Sequence, residues 1–249
     1  RAMLLEGVAQ RMSGNQRAAL QWFADTRKAY GSTPEGLAAI LFEAELLEQA
    51  GQLSAALAGY RRVLKSAGEP SVYHNDMLPL AELQSRLSQA VIRLASDEQY
   101  GGALSLLDHF RPLFAASRQL EQRAKLLETW GNTLIGQATG NRDQLEQALR
   151  RGRRRLREAG AAYEQLGKTR YATKTHTDDL WKSADNFFAG QSYSSAIRVL
   201  NEYLLHEPEY RNPQALLRLG QAHLAMGNLE KSVDALEECI DFHPLDVAT

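Results

Sequence analysis

The chain is short of most things that would name a function. Its one cysteine, Cys239, excludes a disulfide within the chain, leaves the redox compartment open and fits a small packing position as a buried, inert thiol. No apolar run approaches about 18 residues, so no transmembrane helix and no membrane insertion are expected. No signal peptide is visible, and the opening on Arg1 rather than Met leaves room for a leader ahead of it. An excess of either charge is missing too. With 29 Lys and Arg against 30 Asp and Glu, the net charge is −1 and the pI near 6.7, which gives no global field for nucleic acid or an anionic membrane; any such binding has to be local. The six histidines show no H-E-x-x-H or comparable spacing, which argues against a metal site. No pair of titratable groups sits at a spacing that builds an acid–base or nucleophilic centre, so the chain is expected to be noncatalytic and without a cofactor. Runs of Val, Ile and Thr are absent while Leu and Ala are abundant, and that balance favours helix over strand.

What is present is a repeating pattern, clearest in residues 213–246. Leu216, Leu219 and Gly220 fall at W-x₂-L-G offsets, His223 stands where Tyr is usual, Ser232 and Leu236 fill A-x₃-F offsets, and Pro244 closes a unit of about 34 residues. The offsets have physical causes. Small residues at Gly220 and Ser232 let two antiparallel helices approach, Gly227 and Asn228 make the turn between them, and Pro244 ends the second helix because it lacks an N–H.

The same frame fits residues 177–210 through Leu180, Ala184, Phe187, Ala196, Leu200 and Pro208, and residues 37–70 through Ile40, Ala44, Leu47, Gly51, Leu53, Ala56 and Tyr60. Gly7, Gly14, Ala19 and Phe23 keep register over about 1–33, and Leu87, Leu94, Tyr100, Ala103 and Leu107 over 84–115, with Asp97 and Glu98 at the turn. Asn75 followed by Pro79 reads as an N-cap and an early-helix proline, so that repeat's first helix is expected to start early. Between 116 and 176 the frame slips. Leu127, Trp130, Gly131 and Leu134 recover a first helix, but Leu145, Leu149, Leu156, Ala159, Tyr163 and Leu166 share one stripe at about 100° per residue, which predicts a single long helix over 142–167. The expectation is one array of roughly six hairpins over 1–249. Val247, Ala248 and Thr249 stand at the opening positions of a further repeat, as in a piece of a longer array.

On these residues the chain resembles the tetratricopeptide repeat family, most strongly over 177–246. The resemblance implies an all-α, right-handed superhelical solenoid of antiparallel helix pairs, whose first helices line a concave groove that holds a peptide or partner protein. One branch of the family grips C-terminal carboxylates with Lys and Asn on the first helices. Here those positions carry Trp181 and Asp185, then Leu217 and Gln221, so that activity is not expected. The last two units, spaced by 36 residues around Glu207, Pro208, Glu209 and Tyr210, are also similar to bacterial cell-envelope repeat proteins.

Two surfaces follow as candidates. Asp178, Trp181, Asp185 and Phe188 lie off the core stripe of one first helix, and Gln214, Leu217, Gln221 and Leu224 off that of the next; the family's groove is expected there, with the alternative that Trp181 and Phe188 pack against the adjoining repeat. Arg150, Arg151, Arg153, Arg154, Arg155 and Arg157 cover about 200° of the wheel opposite the apolar stripe. They read as a solvated face partly neutralised by Glu146 and Glu158, or alternatively as a patch for nucleic acid or an acidic partner. Ala162 with Gly167, Lys168 and Thr169 matches a permissive phosphate-loop pattern, but Tyr163 and Leu166 continue an amphipathic helix, so Gly167 reads as its stop. Gly190 to Ser194 lacks the last glycine of a nucleophile elbow and reads as a helix-helix turn.

Overall fold

The computed structural model describes residues 1–206 and 212–245; the stop expected at Pro208, the 207–210 junction and residues 246–249 lie outside them. Among the described residues the chain is all α, with twelve helices in antiparallel pairs. It divides into two compact units, Arg1–Gln119 and Leu120–Thr249. No helix among the described residues is long and apolar enough to cross a membrane.

The first unit holds α1 (Ala2–Met12) with α2 (Gln16–Tyr30), α3 (Pro34–Gln49) with α4 (Leu53–Ala67), and α5 (Leu80–Ser96) with α6 (Tyr100–Leu107). The chain supplies the starts. Asn15 Oδ1 accepts the Ala18 N–H, and Thr33 Oγ1 accepts that of Gly36 with Pro34 in the first turn, so amide groups a helix cannot pair internally are satisfied. The helix expected to start early does so, at Leu80. However, Asn75 caps the turn before it by accepting from Met77 and Leu78, and Pro79 precedes the helix as its N-cap. In these hairpins the turn needs one left-handed residue: Gly14 and Gly51 take φ of 82° and 73°, and Glu98 takes 58° without being glycine. Phe23, Leu41, Tyr60, Leu83, Leu87 and Leu106 fill the core with almost no exposure, each burial contributing about 1.5–3 kcal/mol for a large apolar side chain.

The second unit pairs α7 (Ala116–Gly136), whose first turn lies in the first unit, with α8 (Arg142–Thr169), then α9 (His176–Ala189) with α10 (Tyr193–His206) and α11 (Asn212–Ala225) with α12 (Leu229–Phe242). One helix thus covers the whole 142–167 stripe, opened by a reciprocal capping box between Asn141 and Gln144. Two details differ from the sequence reading. Leu145 is 38% exposed, because the first two turns of α8 reach past the core that covers Leu156, Ala159, Tyr163 and Leu166. Gly167 is not the stop either: it lies inside the last turn, buried against α9, and Arg170 caps the helix. The phosphate-loop match therefore sits on a helix. Helices α7 and α8 cross where two glycines face each other; a Cβ on Gly131 would stand 3.0 Å from the Gly152 carbonyl oxygen, and one on Gly152 2.9 Å from that of Gly131.

Candidate functional site

On the second unit's first helices, α9 and α11, the apolar stripes Leu180, Ala184, Phe187 and Ala215, Leu219, Ala222 turn inward and are buried. Helical geometry then sets Trp181, Leu217 and Gln221 beside those stripes, on the flank of each helix. The structure brings these three together. With Gln214 and Arg218 they line a cleft of about 220 Å³. Trp181 is half-buried: one side packs on the core, its ring 5.4 Å from that of Tyr203, and the other faces the cleft.

The remaining predicted groove residues divide. Phe188 is half-buried, edge-on to Tyr193 at 5.4 Å, and the Arg218 guanidinium lies 4.6 Å over its ring. Arg218 Nη2 also donates to Asp185 Oδ1 at 2.9 Å. One arginine thereby holds both Asp185 and Phe188 at the rim. Asp178 and Leu224 are exposed, Leu224 by 56%, and neither lines the cleft. Gln214, which the sequence also set off the core stripe, lines the cleft, but Arg218 was absent from the sequence-derived site. A signal for Arg218 existed, since it stands 33 residues after Asp185, about one repeat, and opposite charges at that spacing meet on neighbouring first helices.

The core beneath this face is polar in places. His223, where the repeat usually has Tyr, is buried, and burial pushes its imidazole below the usual range, with Lys231 adding to the shift. Ser232 Oγ donates to the Gly220 carbonyl at 2.9 Å, which ties α12 to α11 at their closest approach. Cys239 is buried, with Sγ 3.5 Å from the Pro213 carbonyl oxygen.

The arginine cluster on α8 separates into two sets. Arg150, Arg151 and Arg154 are exposed, with Arg150 bonded to Glu146 and Arg154 to Glu158 at 3.0 Å. Arg153, Arg155 and Arg157 are half-buried on the flank. Arg155 stacks 3.9 Å over the Trp130 ring and pairs with Glu158, and Arg157 donates to the Gly190 carbonyl at 2.7 Å, closing the end of α9.

The first unit uses its first-helix face differently. Glu45 of α3, 4% exposed, accepts from Arg11 of α1 at 2.7 Å and from Arg86 of α5 at 3.1 Å. One turn on, Glu48 takes a bidentate pair from Arg93 and the hydroxyl of buried Tyr60, whose phenol is pushed up by burial and by that carboxylate. Among the described residues no group of three or more His, Cys, Asp or Glu is placed to hold a metal ion.

Comparison with known proteins agrees with the helix-pair geometry where it is sharpest. The family model described as tetratricopeptide repeat matches residues 214–246, the α11–α12 pair. No curated protein matches the chain. Among solved structures it is similar to pilF of Pseudomonas aeruginosa (13% identity, 99% of this chain and 93% of that one, TM-score 0.32) and to BtubC from P. vanneervenii (14%, 92% and 89%, 0.32). No activity or partner transfers at that level of likeness. The repeat offsets, the helix pair that carries them and the family match all converge on residues 214–246, and that unit is a tetratricopeptide repeat.

Proposed function

We propose that the chain is a noncatalytic interaction scaffold whose second unit receives an apolar segment of a partner protein in the α9–α11 cleft. The observation that carries this reading is Trp181, half-buried on Tyr203 yet bordering a cleft whose far wall is Leu217. An apolar side chain entering there is desolvated by Trp181 and Leu217, while the Gln214 and Gln221 amides remain available to the main chain of an extended segment. Arg218, held by Asp185 and stacked on Phe188, makes a rigid rim. Aromatic anchors in such positions often contribute about 2 kcal/mol or more to binding. Affinity capture with the wild-type chain identifies the partner, whose affinity is then measured against Trp181→Ala with Leu217→Ala. A drop of that size in a folded variant is the expected outcome. Unchanged affinity in a folded variant excludes the cleft, and loss of folding assigns Trp181 to packing alone.

The alternative, an anionic partner on the α8 arginines, has less support from the geometry. Arg155 and Arg157 are committed to Trp130, Glu158 and Gly190, so the exposed patch contracts to Arg150, Arg151 and Arg154, of which two already face carboxylates.

A further inference from the structure

The first unit carries a second groove, on a second helix and away from the Glu45 and Glu48 ion pairs. Its volume is about 760 Å³, within the roughly 300–1,000 Å³ typical of ligand clefts. One wall is the last turns of α4, with Arg61, Arg62 and Lys65; the other is the segment after α6, with Asp108, His109, Arg111 and Pro112. Four permanent cations thus face one acid. Helix α4 contains no Asp or Glu, so none of its basic residues has an intrahelical carboxylate to neutralise it. Arg61 instead donates to the Ser105 hydroxyl, which fixes its guanidinium at the groove edge. The opposite wall is anchored from behind: Phe110, Leu113 and Phe114 are buried, with the two phenylalanine rings stacked at 4.0 Å, so Arg111 and Pro112 are presented by a packed segment. The α4 wall is likewise set by buried Val63, Leu64 and Ala67.

This basicity contrasts with a chain whose net charge is −1. Concentrating four cations against a single carboxylate in one cleft opposes folding through their mutual repulsion, so such a cluster is better explained by a ligand than by stability. We infer that this groove is a docking site for an acidic peptide segment of a partner protein, its carboxylates meeting Arg61, Arg62, Lys65 and Arg111 while an aliphatic residue rests on the exposed Pro112. A peptide fits better than nucleic acid: four cations engage only a few phosphates, too few for the strongly salt-dependent grip of a duplex or a long single strand, and the exposed, apolar Pro112 has nothing to match on a phosphate backbone.

Fluorescence anisotropy with a labelled peptide alternating Glu and Leu, on the full chain at low salt, tests it. Saturable binding is expected, weakened by added salt and by about tenfold or more in Arg62→Glu with Lys65→Glu, with Arg62→Gln and Lys65→Gln giving a smaller loss. Arg151→Gln with Arg154→Gln should leave it unchanged. Circular dichroism melts confirm folding; if the charge reversals unfold the chain, the two Gln variants alone decide. Absence of binding, indifference to the α4 variants, equal binding of the Gln and Leu counterpart peptide, or tighter binding of an oligothymidylate to the same residues would each overturn the proposal.

Discussion

The two units place the same kind of helix face in opposite service. In the first, carboxylates on α3 are buried and held across the face by arginines of α1 and α5, so that Arg11, Glu45 and Arg86 stitch three successive first helices together. In the second, the α9–α11 pair makes one ion link at the rim, Arg218 to Asp185, both partly exposed, and leaves an apolar cleft beside it. A buried, multiply paired carboxylate serves the chain's own order, whereas an exposed single pair beside an aromatic leaves surface for something else. A shared fold therefore does not fix whether a first-helix face is sealed by ion pairs or left open. Side chains one position off the core stripe decide it.

The largest effect should come from the point where the second unit is held by backbone proximity rather than charge. Gly152→Leu puts side-chain atoms where α7 and α8 are in contact, since even a Cβ would sit 2.9 Å from the Gly131 carbonyl oxygen, and a loss of about 3 kcal/mol in urea unfolding is expected for overpacking of this kind. The contrast lies in the first unit. A Cβ added to Gly101, in α6, would meet nothing within 4 Å, so Gly101→Ala should stabilise by roughly 0.5–1 kcal/mol through helix propensity alone.

Next comes the stitch. Glu45→Gln leaves Arg11 and Arg86 facing a neutral amide and should cost about 2 kcal/mol, less than a fully buried pair because the arginine side chains remain 28% and 31% exposed. Asp185→Asn, by contrast, should change stability by about 0.5 kcal/mol at most, its side chain being 47% exposed. Equal losses at the two sites would erase the distinction between a self-paired and an open face. Arg11→Met, Glu45→Leu and Arg86→Met together should recover most of the Glu45→Gln loss, as apolar replacement of a buried triad often does.

These contrasts also show what the sequence reveals. The helix pairs and their turns were legible because small residues and glycines must recur wherever two helices approach, and the long α8 because a stripe at helical period continued through the broken frame. The cleft was legible in part: Trp181, Leu217 and Gln221 were placed by the wheel, but Arg218 was not, because a wheel treats each helix alone while Arg218 acts on α9. Pairings one repeat apart carry that missing information. Arg11 with Glu45 and Glu164 with Arg198 both lie 34 residues apart. The division of the arginine cluster was illegible for the same reason, since Trp130 and Gly190, which hold Arg155 and Arg157, belong to other helices. Arg155→Gln should accordingly cost about 1 kcal/mol, while Arg151→Gln and Arg154→Gln stay within about 0.5 kcal/mol each in thermal unfolding.

The smallest effect is a pH dependence seated in the second unit. Glu164 is held below the usual carboxylate range mainly by its hydrogen bond with Arg198, with Lys168 adding to it, and Glu121 mainly by Lys125, with Arg170 adding to it. A carboxylate with a lowered folded-state value contributes stability that is fully present above its unfolded value, near 4.5, and is lost as pH falls from there through the folded value. Arg198 and Lys168 are more than half exposed, so solvent and salt screen the gain to under about 1 kcal/mol. Urea midpoints measured at about pH 7 and about pH 4 should converge in Glu164→Gln with Glu121→Gln relative to wild type: the variant loses stability at the higher pH and little at the lower. Added salt should narrow the same gap. A wild-type midpoint unchanged between the two pH values would show that these pairs contribute nothing measurable and that the second unit rests on packing at Gly131, Gly152 and the Tyr203 core.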